Sequence, residues 1–571
     1  MLIASKIEGR SRLATTRADA CSLSDQLVLA LASVGITDYF GVPGGAIEPL
    51  FNTLARQQRQ GRVRLTATRG EAGAAFAADG YYRETGRLAV CTATSGPGIS
   101  NLVTAVMNAH ADRIPMLILT PQIALPKQGR GGLQDSSSDG YDLEKMLAEC
   151  TRYSTTITHP DQLGHKLARA VRLALTAPRG PVHLSIPSDL LVGRPASMAL
   201  DLSRSLRVAA PVDEHALKAL VSALLAAKAP TFYVGDDAGR EASRLLALAH
   251  ALGGNVVASP AGKRWLGHSH RAYRGVLGFS GNSEATEATS KADLVVAVGA
   301  TFDELSTNAW TTLPKENLYS VDEHALHAHR NSDAVPVIAS TTALVDALAA
   351  RVPLLRENNR PRRPVSAPRL VRSSAEAAVH PSDLMHWLSQ ELPSDVVVHI
   401  DAGNGFSWST RDLSRSEPDT YRVAMGLSTM CWAIGAVLGA AVASGRRTFC
   451  IAGDGSMLMS SLELTVAVDQ RLPITYVVLN DSGLGMVRHG QRLAGAEPIA
   501  HDISKVRFDR LAKACGARGL RVEHTEDLAN IPRSWLSSDQ GGPAVIDVSI
   551  DRCAVPPMAD RVKGLAVRGA R

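Results

Sequence analysis

Two acidic residues set out the chemistry this sequence offers. In residues 448–488 the apolar run TFCIA leads into Gly453-Asp454-Gly455-Ser456, and a second run, ITYVVLN, leads into the turn at Asp481. Asp454 and Asp481 stand 27 residues apart. A strand–turn–helix–strand unit of that length brings both carboxylates to the C-terminal edge of neighbouring parallel strands, where open α/β sheets take up ligands. Gly453 and Gly455 let an anion approach the backbone, and a helix opening after Ser456 offers its first N–H groups. Hard carboxylate and carbonyl oxygens suit Mg²⁺ or Ca²⁺. The spacing predicts a divalent cation that bridges the protein to a diphosphate. A Gly-Asp-Gly by itself also makes ordinary turns; the strand before it and the Asn480-Asp481 turn at this distance separate the two readings.

The block resembles the thiamine diphosphate binding motif, Gly-Asp-Gly followed after about two dozen residues by Asn-Asn. The resemblance implies a Mg²⁺ site made of Asp454, Asp481 and the backbone carbonyl of Gly483, with Asp481 in the second Asn position. Thiamine chemistry also needs a carboxyl group against the aminopyrimidine ring. Three N-terminal blocks, FGVPGGAIEPL, TATRGEAGAAFAADGYYRETGR and TSGPGISNLVTAVMNAHADRIPMLILT, resemble in order and spacing the pyrimidine-binding domain of the acetolactate synthase group, and Glu71 falls on its catalytic Glu. The resemblance spans about residues 22–555. It implies that Glu71 of one chain meets Asp454 of its partner, so a homodimer or homotetramer is expected.

The same resemblance assigns further residues. MGLSTMCWAIG at 425–435 is similar to the segment whose Met props the cofactor in a bent form, which gives that role to Met430. GGLQDSS at 131–137 is similar to a Phe-Gln-Glu segment, making Gln134 an active-site amide and Leu133 a replacement for Phe. The catalytic set is then Glu71, Gln134 and Met430. The implied cofactor contacts are Gly45, Glu71, Pro97, Asn101, Gly403, Asn404, Gly426, Met430, Gly453, Asp454, Gly455, Ser456, Asp481, Gly483, Leu484, Gly485 and Met486.

Several positions depart from the family. Gly490 stands where acetolactate synthases that select 2-oxobutyrate carry Trp, which implies a roomier acceptor pocket. The family's Arg-Phe-Asp-Asp-Arg segment reads Thr301-Phe302-Asp303-Glu304-Leu305, without either guanidinium. The first strand of the middle region runs into Asp236-Asp237, where a flavin diphosphate would lie, and two carboxylates there repel FAD. Pyruvate decarboxylase-like chains carry adjacent His residues where residues 122–141 hold none, and benzoylformate decarboxylase-like chains have a His where Gly70 stands. With those proton donors missing, capture by a second carbonyl is favoured over protonation. Arg488 and His489 are the nearest polar candidates for substrate contact. The resemblance therefore implies thiamine diphosphate- and Mg²⁺-dependent decarboxylation of a small-molecule 2-oxo acid, such as pyruvate, with carboligation to a carbonyl acceptor. The rival readings are a non-ligating 2-oxo acid decarboxylase and a catalytically silent family member.

These residues need a scaffold, and the hydrophobic pattern supplies one. From residue 22 to about 194 helical patterns alternate with apolar runs at 88–93, 115–120 and 182–186. Runs at 231–234, 255–258 and 294–298 mark a second such region, and those at 396–400, 448–452, 474–479 and 544–548 a third. The expectation is three α/β domains with parallel sheets: 20–195 (pyrimidine-binding), 205–350 (middle) and 376–555 (diphosphate-binding). An Arg/Pro-rich linker is expected at 351–375 and a tail at 556–571. The 571 residues are 45% hydrophobic and 20% charged, with net charge +6, which gives no case for nucleic acid. Seven cysteines without a C-x-x-C pair fit a reducing, cytoplasmic setting, and no apolar run reaches the ~18–20 residues of a membrane helix.

Overall fold

The computed structural model describes residues 22–206, 211–324, 330, 333–352, 378–537, 539 and 541–558. All but the first two residues of the expected 351–375 linker lie outside the described residues, as does the tail beyond Met558.

Three sheets of six parallel strands organise the chain. The first contains β1 (Asp38–Gly41), β2 (Arg64–Ala67), β3 (Val90–Thr92), β4 (Met116–Gln122), β5 (Ser154–Thr156) and β6 (Pro181–Pro187) in the order β2-β1-β3-β4-β6-β5. The second contains β7 (Pro230–Val234), β8 (Asn255–Ala258), β9 (Tyr273–Val276), β10 (Leu294–Val298), β11 (Leu318–Asp322) and β12 (Ala334–Ile338), ordered β12-β11-β10-β7-β8-β9. In the third, β13 (Val397–Ile400), β14 (Tyr421–Val423), β15 (Thr448–Gly453), β16 (Ile474–Asn480), β17 (Arg518–Val522) and β18 (Ala544–Ser549) run β14-β13-β15-β16-β18-β17. The first and third sheets thus share one winding order, which reverses between β1 and β3 and again between β13 and β15. Parallel sheets bind ligands at such reversals.

Burial on both faces explains why the central strands are continuous apolar runs. All seven residues of β4 and of β16 are buried. Small side chains set the close helix packing: Gly73, Ala74, Ala75, Ala77 and Ala78 are buried along the helix Glu71–Thr85, which ends at Gly86 in the left-handed conformation. The helix Trp432–Ser444 is buried over its first eleven residues and stops in the same way at Gly445.

The chain divides into two compact units, 1–208 and 209–571. Within the second, side chains join the middle and C-terminal sheets. Lys263 is buried, and its Nζ donates to the carbonyls of Ser409 (2.9 Å), Thr410 (2.8 Å) and Leu413 (2.6 Å). These carbonyls lie at the C-terminal end of the helix Asn404–Asp412; Ser409 O also accepts from the Leu413 N–H at 3.2 Å, and the Lys263 ammonium adds a donor where the helix runs out of its own. Arg264 binds Asp419 at 2.8 Å, and Phe279 stacks on Phe406 with ring centroids 5.8 Å apart. The anchored helix starts at Asn404, one of the expected cofactor contacts. Replacing Lys263 with Met removes the donor that the Ser409, Thr410 and Leu413 carbonyls share and is expected to lower unfolding free energy by about 2–3 kcal/mol in denaturant titrations.

Candidate active site

In the N-terminal unit, four loops at the C-terminal edge of the sheet gather the expected residues. Gly45 follows β1, with open space where a Cβ would stand. Glu71 opens the helix after β2, and its Oε2 accepts a 3.1 Å hydrogen bond from Asn101 Nδ2 on the helix Pro97–Ala111 after β3. Gly98, in the first turn of the helix that carries Asn101, lies beside the other oxygen: a Cβ there would stand 3.5 Å from Oε1, an ordinary contact distance. Gln134 sits on the loop after β4 with φ 59°. It packs on Gly96 so closely that a Cβ there would come within 2.8 Å, and the φ 68°, ψ −120° of Gly96 is a conformation only glycine adopts readily. The Gly96 N–H donates to Ser136 Oγ at 2.8 Å, tying the two loops together. Glu71 and Gln134 are half-buried, whereas Leu133, Pro97 and Asn101 are exposed.

The C-terminal unit builds its site at the β13/β15 reversal. Asp454, buried, follows β15; its Oδ1 accepts from the Gly455 N–H (2.9 Å) and its Oδ2 from the Gly483 N–H (3.1 Å). Burial, with the charge of Asp481 added, pushes its carboxyl up to about 7. Burial also raises Asp481, and the guanidinium of Arg488 opposes that rise. A Cβ on Gly455 would come within 2.7 Å of Leu484 Cδ2 and 3.4 Å of Met430 Cε, which places both apolar side chains at the Asp454 turn. Gly485 is similarly hemmed in: its Cβ would stand 2.5 Å from Asn404 Nδ2 and 2.7 Å from Asp481 Oδ2. Gly403, at φ 107°, caps the helix that begins with Asn404, whose Oδ1 is buried with no hydrogen-bond partner among the described residues. Ser456 is buried beside Asp454, and Gly426 is exposed. Met486 packs its side chain on the core of the C-terminal sheet. Asp454 and Asp481 therefore bring two buried carboxylates to one turn beside Gly483, with the buried Asn404 Oδ1 near them, a donor set that fits a hydrated divalent ion with a diphosphate.

Some residues take places that sequence reasoning did not give them. Asp401, directly after β13, accepts from the N–H groups of Cys431 (2.9 Å) and Ala433 (3.0 Å) and fixes the chain just beyond Met430. The signal was an acid at the end of the apolar run VVVHI. Arg488, expected near substrate, turns its guanidinium to Asp481, and His489 beside it is buried, which holds its imidazole below the usual range. The space at Gly490, where the family has Trp, is bounded by Met558: a Cβ there would lie 3.9 Å from Met558 Cε. Met558, at the end of the described chain, is thus the side chain that borders this position.

The middle sheet reverses between β7 and β10, and its turns close on each other there. A Cβ on Gly235 would meet Gly299 O at 2.2 Å, and the Asp237 N–H donates to the same carbonyl at 3.1 Å. Asp237, Asp322 and His324 bring ligand-type atoms within 4.8 Å of one another at this edge. A flavin diphosphate finds backbone donors already engaged and carboxylates around them, and does not fit.

Domain families place the architecture. The thiamine pyrophosphate enzyme N-terminal TPP binding domain matches residues 21–143, the central domain 217–348, and the C-terminal TPP binding domain 401–548. The chain belongs to the thiamine pyrophosphate enzymes. Within them it is acetolactate synthase-like: the acetolactate synthase isozyme 2 large subunit of Escherichia coli K12 is 31% identical over 553 residues, 93% of this chain and 97% of that one. The acetolactate synthase large subunit of Parasynechococcus marenigrum WH8102 is 30% identical, covering 92% of this chain and 87% of its own. The fold is shared with a Rhodococcus jostii RHA1 thiamine diphosphate-dependent 4-hydroxybenzoylformate decarboxylase, at TM-score 0.81 and 22% identity over 93% of this chain and 99% of that one. No described helix is long and apolar enough to cross a membrane.

The raised Asp454 carboxyl has a consequence for the metal-free protein. Its folded pKa of about 7 lies above the ordinary 3.8, so between those values the folded state holds a proton the unfolded chain releases, and stability from this group falls as pH rises. Asp454→Asn is expected to raise the Tm of metal-free protein at neutral pH, with the gap closing as pH falls toward 4. Equal melting of the two proteins across that range would refute it.

Proposed function

We propose that this enzyme uses thiamine diphosphate and Mg²⁺ to decarboxylate a 2-oxo acid, pyruvate in the first place, and to join the remaining acyl unit to a second carbonyl compound. The observation that carries this reading is the convergence of Asp454, Asp481, Gly483 and Met430 on one turn at the β13/β15 reversal. Bound there, thiamine diphosphate supplies a nucleophilic carbon and an electron sink for decarboxylation. The chain's own groups do the rest. Asp454, Asp481 and the Gly483 carbonyl hold the metal, and Met430 and Leu484 provide an apolar support. Asn101 engages Glu71 Oε2 and leaves Oε1 to hold and move the proton. Gln134 offers an amide to substrate. Gly70, and residues 122–141 without His, provide none of the histidines that decarboxylase-like chains place there to deliver a proton to an aldehyde product.

The site is completed by a second copy of the chain, Glu71 of one serving Asp454 of the other in a dimer or tetramer. Leu458, Met459 and Leu462, 42%, 63% and 62% exposed, follow the Asp454 turn as an apolar ridge that a second subunit would cover. The acidic, self-closed β7/β10 edge supports a middle domain that works without FAD. Six described cysteines, all free thiols, fit the cytoplasm.

Glu71→Gln is expected to retain coenzyme binding in calorimetry while turnover falls by about 10²-fold or more. Mass spectrometry of pyruvate incubated with a panel of aldehydes and 2-oxo acids should show ligated products. Aldehyde alone would favour a non-ligating decarboxylase, and no consumption of any acid a silent family member.

A further inference from the structure

Position 481 carries an aspartate where the thiamine diphosphate motif has asparagine, and the structure shows what stands against the added charge. Asp481 and Arg488 form an ion pair through Oδ2 and Nη2, and each side chain is only 6% exposed. The same Nη2 donates to the Arg552 carbonyl at 2.9 Å, which fixes the guanidinium from a second direction. Arg488 Nη1 lies 2.9 Å from where a Cβ on Gly483 would stand, so the guanidinium lies against the third member of the oxygen cluster. Its Nε and Nη1 are buried and have no hydrogen-bond partner among the described residues. A buried guanidinium left with unanswered N–H groups is costly unless an anion completes it.

Charge balance gives the arrangement a purpose. With asparagine at 481, one carboxylate and a diphosphate share one divalent cation. With aspartate there, two carboxylates and the diphosphate share it, and like charges in a desolvated site repel strongly. Pairing through Oδ2 leaves Asp481 Oδ1 as the oxygen for the ion.

We propose that Arg488 is a positioning residue, the fixed counter-charge that allows Asp481 to serve in the metal and diphosphate site, so that the two side chains act as one unit in setting metal-dependent coenzyme affinity. The inference rests on the coenzyme assignment above and deepens it. Arg488 is needed because residue 481 is acidic, and loses that importance when residue 481 is neutral.

A double-mutant cycle on the full-length protein tests it, read as binding rather than activity. Thiamine diphosphate is titrated in the presence and absence of Mg²⁺ and followed by calorimetry, for wild type, Arg488→Met, Asp481→Asn and the double variant. Arg488→Met alone is expected to weaken Mg²⁺-dependent uptake about tenfold or more, and the double variant to bind within about threefold of Asp481→Asn. If Arg488→Met does not fold by itself, recovery of folding and binding in the double variant supports the proposal equally. Equal losses in both backgrounds, no loss in either, or a double variant that also fails to fold would overturn it. Wild-type protein that takes up no coenzyme with Mg²⁺ would instead remove the coenzyme assignment.

Discussion

Two carboxylates held close together in a desolvated turn are the constraint on which this structure depends. Asp454 and Asp481 emerge from adjacent parallel strands, β15 and β16, paired from Thr448↔Ile474 to Gly453↔Leu479, so backbone register fixes their approach. Everything around them answers the charge: backbone N–H groups of Gly455 and Gly483 on Asp454, and the Arg488 guanidinium on Asp481. Such an arrangement does little for the stability of the empty protein, which is the usual condition of a site shaped for a cation.

The shared winding of the first and third sheets explains how one chain builds two halves of a coenzyme site from one architecture. In each, the loop after the first strand and the loop after the third flank the reversal: Gly44 against Thr94 in one, Gly403-Asn404 and Asp454 in the other. The loops carry different groups, a glutamate and amides in the first, the carboxylates of Asp454 and Asp481 in the third. The middle sheet has a reversal of its own, but backbone contact between Gly235 and Gly299 closes it. A ligand-binding topology and a ligand-binding site are separate facts, and the side chains decide between them.

What was legible in the sequence follows from burial. The apolar runs pick out β3, β4, β6, β7, β8, β10, β13, β15, β16 and β18, strands covered on both faces. All six edge strands escape that test, the fully buried β14 among them, and so do the interior strands β1 and β11, which are short or interrupted by polar residues. In β2 only Thr66 is buried, none of β5 is, and in β17 only Val522 is. Such strands are specified by pairing with a neighbour, which no local pattern records. The site divides in the same way. The Asp454 turn and the Glu71 block were readable because strand, turn and helix are contiguous. The hydrogen bonds of Asp401 to Cys431 and Ala433, and the approach of Met558 to Gly490, join residues far apart in the chain, and nothing in either segment names the other.

Lys263 shows how far such unreadable contacts reach into the site. It belongs to the middle sheet's turns, yet its three carbonyl acceptors end the helix whose first residue is Asn404, packed beside Asp481 at Gly485. The helix is nine residues long, roughly 13 Å at 1.5 Å per residue, so a charge that pins one end also limits the movement of the other. The middle domain thereby takes a part in the geometry of the C-terminal turn. That dependence gives a physical reason for the middle sheet to remain in one compact unit with the C-terminal sheet.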